Sequence, residues 1–171
     1  MDTTFLLWLG LFLLCLIIRT TYEVFKKAGR VNTKALFPLI FSAMCLFWIS
    51  WFAMCPLDPL DLGVPQAVRV VGIALVVLGV ILAVGALVQL KGLEDIDHLV
   101  TSGLFSKLRH PMYTGFILWI VGWGFYHGAG ASLVAGLAGI ANILYWRGLE
   151  ERKLELQFGE SYRDYKAKTW F

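Results

Sequence analysis

AVRVVGIALVVLGVILAVGALVQL, residues 67–90, decides the fold class, because after Arg69 it holds no charged side chain. A helix crosses the hydrocarbon core of a bilayer with about 20 mostly apolar residues, and this stretch supplies them. Working outward, further apolar stretches cover 3–18 and 35–55 on one side, 112–126 and 129–146 on the other. The chain therefore reads as an all-α integral membrane protein with about five transmembrane helices. Composition agrees: 58% hydrophobic against 16% charged leaves too little polar surface to cover a water-soluble globule.

The first stretch is preceded by Asp2 rather than Lys or Arg, and no small-x-small cleavage site follows it, so it reads as a retained helix and not a signal peptide. His127-Gly128-Ala129-Gly130 turns the short fourth stretch straight into the fifth, which predicts a helix 4–helix 5 hairpin. Small residues recur four apart at Gly79 and Ala83 in the third helix, and Ser132, Ala135, Gly136 and Gly139 line the fifth. Such residues let backbones approach closely in lipid. The expectation is a compact body of helices three to five, with the Leu- and Phe-rich first two facing lipid.

Lys and Arg, 15 in all, fall asymmetrically. The first loop holds Arg19, Lys26, Lys27, Arg30 and Lys34, the third Lys91, Lys107 and Arg109, and the rest follow from Arg147 onward, leaving only Arg69 on the other side. Cytoplasmic loops carry the positive excess, which predicts a multi-pass topology with the amino terminus outside and a cytoplasmic carboxyl-terminal helix. A net charge of +3 is too small and dispersed for nucleic acid, so the basic first loop reads as an orientation signal beside anionic membrane lipid. Cys15, Cys45 and Cys55 sit in apolar spans without a Cys-x-x-Cys or His partner, hence as core packing and not as metal ligands or a disulfide framework. No repeat or linker divides the chain, and residues 1–171 form one domain.

Polar chemistry gathers in two segments. One is DHLVTSGLFSKLRHPMYTG, residues 97–115, in which Pro111 suits the first turn of a helix. The other is YWRGLEERKLELQFGESYRDY, residues 145–165, where Arg147, Glu150 and Glu151 share neighbouring faces of a helix leaving the membrane. A hairpin brings the start of one helix and the end of the next to the same membrane face, so His110, Tyr113, Arg147 and Glu150 are expected in one pocket. Such a set suits a ligand with amino, carboxylate and hydroxyl groups and a sulfonium. The plain alternative is snorkelling cations, an aromatic belt and an exposed ion pair of Arg147 with Glu150 or Glu151.

The order H-L-V-T-S-G-L-F, R-H-P-M-Y-T-G and then E-E-x-x-L-x-x-x-F-G-x-x-Y-x-x-Y resembles the isoprenylcysteine carboxyl methyltransferases and their phospholipid methyltransferase relatives over roughly 85–165. The resemblance implies an S-adenosylmethionine-dependent methyltransferase whose segments 91–111 and 147–171 enclose the cofactor at the cytosolic face. It places His98, Leu99, Val100, Phe105, His110, Pro111, Met112, Tyr113 and Glu150 around the cofactor. It also places Arg147 toward the methyl acceptor, with Glu150 or Glu151 taking a proton where the acceptor is an amine or thiol. The acceptor would be a lipophilic small molecule or lipid-linked group. Two positions depart from the family: Asp97 stands where a histidine is frequent, with His98 one residue later, and Arg147 lies three rather than four residues before Glu150.

Two competing readings remain at this level. A sterol-reductase-like enzyme using NADPH looks similar at an R-H-x-N-Y segment, but Met112 stands at the Asn position. A non-catalytic membrane scaffold is the other; a transporter is disfavoured because the span interiors lack ionisable residues.

Overall fold

In the computed structural model, which describes residues 2–90 and 98–171, the elements are all helical. α1 runs Thr3–Lys27, α2 Thr33–Met54 with a 3-10 turn at Cys55–Leu57, α3 Gln66–Leu90, α4 Pro111–His127, α5 Gly130–Phe158 and α6 Glu160–Lys168. The Asp2 carboxylate accepts from Thr4 N (3.0 Å) and the Asn32 amide oxygen from Ala35 N (3.2 Å), capping α1 and α2. α4 ends at Gly128, whose φ of 66° is the left-handed conformation that only glycine takes at no steric cost. The chain re-enters a helix two residues later.

Among the described residues four helical segments are long and apolar enough to cross a membrane: Thr3–Lys27, Ala35–Leu57, Gln66–Leu90 and Gly130–Phe158. α4, with 17 residues, is shorter. Val71, Val77, Val80, Ile81, Val84 and Val88 leave the outer surface of α3 apolar and exposed, a surface suited to lipid. The chain is a multi-pass membrane protein.

Two helix boundaries differ from the hydropathy reading. α1 continues past 18 to Lys27, and α5 continues past 146 to Phe158. Hydropathy reports where a helix is apolar, whereas backbone hydrogen bonding carries it on into polar surroundings. α1 thus presents Arg19 and Glu23, and α5 presents Arg147, Glu150 and Glu151, on rigid helical turns.

The expected division of labour between helices holds in part: α3 packs tightly on α4, and α4 and α5 contribute to the core, but α1 and α2 contribute to it as well. The core is built by Phe5, Phe12, Cys15 and Leu16 of α1, by Phe47, Trp51 and Met54 of α2, and by Ile120, Ile143 and Trp146 beyond them. Phe12 stacks on Phe47 at 4.7 Å and meets Trp51 at 5.4 Å. The large side chains of α1 and α2 fill the centre, because small residues make close approaches but no volume. α3 is peripheral and packs chiefly on α4. Ideal Cβ atoms on Gly72 and Gly79 would lie 2.6 Å from the carbonyl oxygens of Gly122 and Gly115, so the two backbones touch. On α5, Gly136 and Gly139 instead admit Trp51, Ile120 and Phe12. Cys15 and Cys55 are buried, but Cys45 is exposed on the outer side of α2 and packs no core.

At the end of the bundle remote from Arg147, the 58–65 connector is tied to the α4–α5 turn. Asp58 accepts from Ala131 N (3.2 Å) and Ser132 N (2.5 Å), capping α5. Leu62 N donates to Gly128 O and Gly130 N to Leu60 O, both at 2.9 Å. Arg69 donates to Tyr126 O at 2.9 Å. This fixes the turn by which α4 passes into α5 at that end of the bundle.

Candidate functional site

Pro111 opens α4 with His110 as the residue before it, which leaves Arg109 and His110 in non-helical backbone beneath the emerging end of α5. This backbone is held by the tail. Arg109 N donates to Trp170 O (2.8 Å) and Trp170 N to Lys107 O (2.7 Å). The Arg109 guanidinium reaches the carbonyls of Lys166, at 2.9 Å, and Thr169. Tyr165 OH donates to Phe105 O at 2.6 Å, tying α6 to the 103–106 turn as well.

Glu151 is the electrostatic centre of this assembly. Its side chain is only 12% exposed, with Lys166 Nζ at 2.6 Å, Arg109 Nε at 3.4 Å and His110 Nε2 at 3.3 Å. His110 itself is buried. Burial lowers its imidazole to about 4, outweighing the attraction of Glu151, and Arg147 and Arg109 push the same way. His110 is therefore neutral near pH 7. Its Nε2 has no hydrogen-bond partner of proper geometry, nor does the buried hydroxyl of Tyr162. Burial also pushes the Tyr162 phenol up, keeping it protonated.

Both unpaired groups border a cleft between the 98–105 segment, the start of α4, α5 and α6. Of the residues expected around a cofactor, His98, Leu99, Val100, Phe105, His110 and Glu150 line it together. The cleft encloses about 40 Å³, or about 410 Å³ with its solvent-open mouth included. Residues 91–97, Asp97 among them, lie outside the described residues.

The other candidates fall elsewhere. Pro111 is buried in the first turn of α4, and neither it nor Met112 borders the cleft. Tyr113 faces away, its phenol hydrogen-bonded with the Glu150 carboxyl, and borders a second and larger cavity of about 430 Å³. Glu150 and Leu154 line both spaces.

The expectation of a single pocket for His110, Tyr113, Arg147 and Glu150 is thus corrected to two adjoining spaces meeting at Glu150. Arg147 lines neither: its Nε is buried and its guanidinium lies 4.4 Å over the Phe171 ring. The reason is helical phase. Adjacent residues are about 100° apart, so Glu150 and Glu151 look different ways, and Arg147, four residues before Glu151, shares the face of Glu151 and not of Glu150. Glu151 pairs with Arg109, His110 and Lys166 rather than with Arg147.

Arg109, Leu154, Tyr162 and Tyr165 also border the cleft; they stand within the two motifs, but the sequence reading assigns them no role in the site. The three-residue spacing of Tyr162 and Tyr165 on one face of α6 was the available signal.

The sequence model described as phospholipid methyltransferase matches residues 67–161, more than half of the chain and including every cleft residue described above except Tyr162 and Tyr165. The chain belongs to the phospholipid methyltransferase family. Within it, the chain is similar to protein-S-isoprenylcysteine O-methyltransferases. The one from Schizosaccharomyces pombe is 32% identical over 80 residues, covering 43% of this chain and 32% of that protein. The Mus musculus protein is 32% identical over 83 residues, 44% of this chain and 27% of its own. The one from Dictyostelium discoideum is 30% identical over 129 residues, covering 72% and 54%. The chain thus spans about a third or less of the first two relatives. No solved structure matches it.

Of a methyltransferase's usual cofactor, S-adenosylmethionine, the cleft can be asked whether its residues fit. Unpaired buried polar atoms on His110 and Tyr162, a carboxyl on Glu150 and apolar sides from Leu99, Val100 and Phe105 match a ligand with a polar end and an aromatic base. They fit.

Proposed function

We propose that the chain transfers a methyl group from S-adenosylmethionine to a lipophilic acceptor at the cytoplasmic membrane face, as one domain in which α4 is a fifth span and the amino terminus lies outside. The observation that carries this reading is the cleft. Six residues that the family resemblance assigns to the cofactor, drawn from the 98–105 segment, the start of α4 and the end of α5, line one space with two unsatisfied buried polar atoms. Membership of the family and likeness to isoprenylcysteine O-methyltransferases support methyl transfer to a prenylcysteine-like acceptor.

When bound, S-adenosylmethionine supplies a methyl carbon activated by a sulfonium. His110, neutral and buried, and Tyr162, protonated, offer hydrogen bonds to its polar groups, while Phe105, Leu99 and Val100 cover its apolar parts. Glu150, at the border of both spaces, aligns donor and acceptor and takes the proton of an acceptor that carries one. Glu151 holds Arg109 through an ion pair and lies 3.3 Å from Nε2 of the neutral His110, a positioning role. Arg147 acts through the tail that it covers.

Calorimetry of S-adenosylmethionine on detergent-purified protein tests it. Micromolar binding, weakened at least about tenfold in His110→Ala and in Glu150→Ala, is expected, a tenfold change being about 1.4 kcal/mol. Absence of binding to the wild type, or binding of NADPH in its place, overturns the reading.

A further inference from the structure

The second cavity is walled mainly by α1, α2 and α5, and α1 and α2 lie wholly outside the residues that the family model matches. At about 430 Å³ it has the size of a small-molecule site. Along α2 it is apolar, with Phe37, Ile40, Phe41 and Met44 on successive turns. Phe37 and Phe41 stack at 5.9 Å. At the end next to Tyr113 and Glu150 it is ionic: Arg19, Lys26 and Lys153 face it against Glu23 and Glu150.

Arg19 stands apart among these. A cation at the end of a span ordinarily snorkels outward to water. The Arg19 side chain instead is 18% exposed and lies 4.9 Å over the face of Trp146, on α5. Its Nη1 is bonded to Glu23, while a guanidinium has five N–H donors to place. Ionisable groups turned into a membrane bundle are costly and mark ligand paths. Arg147, the cation expected to meet the acceptor, is turned away beneath Phe171 and borders neither space.

We infer that Arg19 is the cation that holds an anionic head of the acceptor, and that Phe37–Met44 of α2 receives its single apolar chain. This rests on the methyl-transfer reading of the adjoining cleft. The head then lies at Arg19, whose charge together with those of Lys26 and Lys153 offsets the carboxylates of Glu23 and Glu150, and the chain runs back along α2 toward lipid. Acceptor choice resides in α1 and α2, donor binding in the segment shared with the family.

Photolabelling tests it on detergent-purified full-length chain. The probes are hexadecanoate carrying a mid-chain diazirine and its methyl ester, with S-adenosylmethionine affinity read on the same samples. Hexadecanoate is expected to label 37–44 and to out-label the ester at least about tenfold, the range of a charge-assisted pair. Arg19→Gln should erase that preference, Arg19→Lys should restore part of it, and Met44→Trp should reduce labelling by both probes. Label confined to other helices, or a preference that survives Arg19→Gln, overturns the inference while donor binding stands. Loss of donor binding in the wild type overturns the methyl-transfer reading instead. Should Arg19→Gln not fold, the probe pair on wild type and Met44→Trp decide: equal labelling by acid and ester overturns the role of Arg19.

Discussion

His110 enters the folded protein neutral, since burial holds its imidazole near 4 against an ordinary value of about 6.5. Between these values the unfolded chain binds more protons than the folded one, so this residue's contribution to stability is complete above pH 6.5 and is lost as pH falls toward 4. Inside that window stability is expected to fall by up to about 1.4 kcal/mol per pH unit. Thermal unfolding in detergent from pH 7 to 5 checks it, with a shallower dependence in His110→Gln. Glu151 differs in kind, as a carboxylate 12% exposed with three cationic or imidazole neighbours. Glu151→Gln leaves Arg109 and Lys166 without their counter-charge and should cost about 3 kcal/mol. Glu155→Gln, whose pair with Arg163 is 44% and 64% exposed, should cost less than about 1 kcal/mol. The two glutamates stand four residues apart and look alike in the sequence; only burial separates them.

Among elements, the α3–α4 contact depends on glycines meeting back to back. A Cβ at Gly79 would stand 2.6 Å from the Gly115 carbonyl oxygen, and a backbone oxygen cannot step aside. Gly79→Ala is expected to cost about 1–3 kcal/mol as overpacking, read as a lower thermal midpoint and a loss of cysteine cross-linking between α3 and α4. The small-residue pattern on α3 was legible; its partner was not, because Gly115 and Gly122 of α4 show no pairing code with it. At the remote end, Asp58→Ala removes the cap of α5 and should cost about 1 kcal/mol, with donor affinity unchanged because the cleft lies at the other end of α5. An Asp among prolines reads only as a loop, since a cap supplied from another part of the chain leaves no local signature.

For the molecule as a whole, the tail is tied by hydrogen bonds to the backbone that leads into α4. Trp170 N donates to Lys107 O at 2.7 Å, and Trp170→Pro removes that donor. S-adenosylmethionine affinity is expected to fall by up to about tenfold through loosening of 107–110, the worth of one hydrogen bond, and calorimetry measures it. The amino-acid sequence by itself determined the membrane class, the place of the main spans and the two polar segments that border the cleft. Hydropathy, proline and charge placement act within one stretch of chain, so each can be read locally. The family resemblance named His98, Leu99, Val100, Phe105, His110 and Glu150 together, and these six line one cleft. Tertiary structure alone decided that α1 and α2 contribute to the core, that Glu150 and Glu151 part ways, that Arg147 turns under Phe171 and that Arg19 turns inward. These outcomes depend on the rotation of each helix about its axis, which is set by large side chains filling space against distant neighbours, and no local pattern records which neighbour that is.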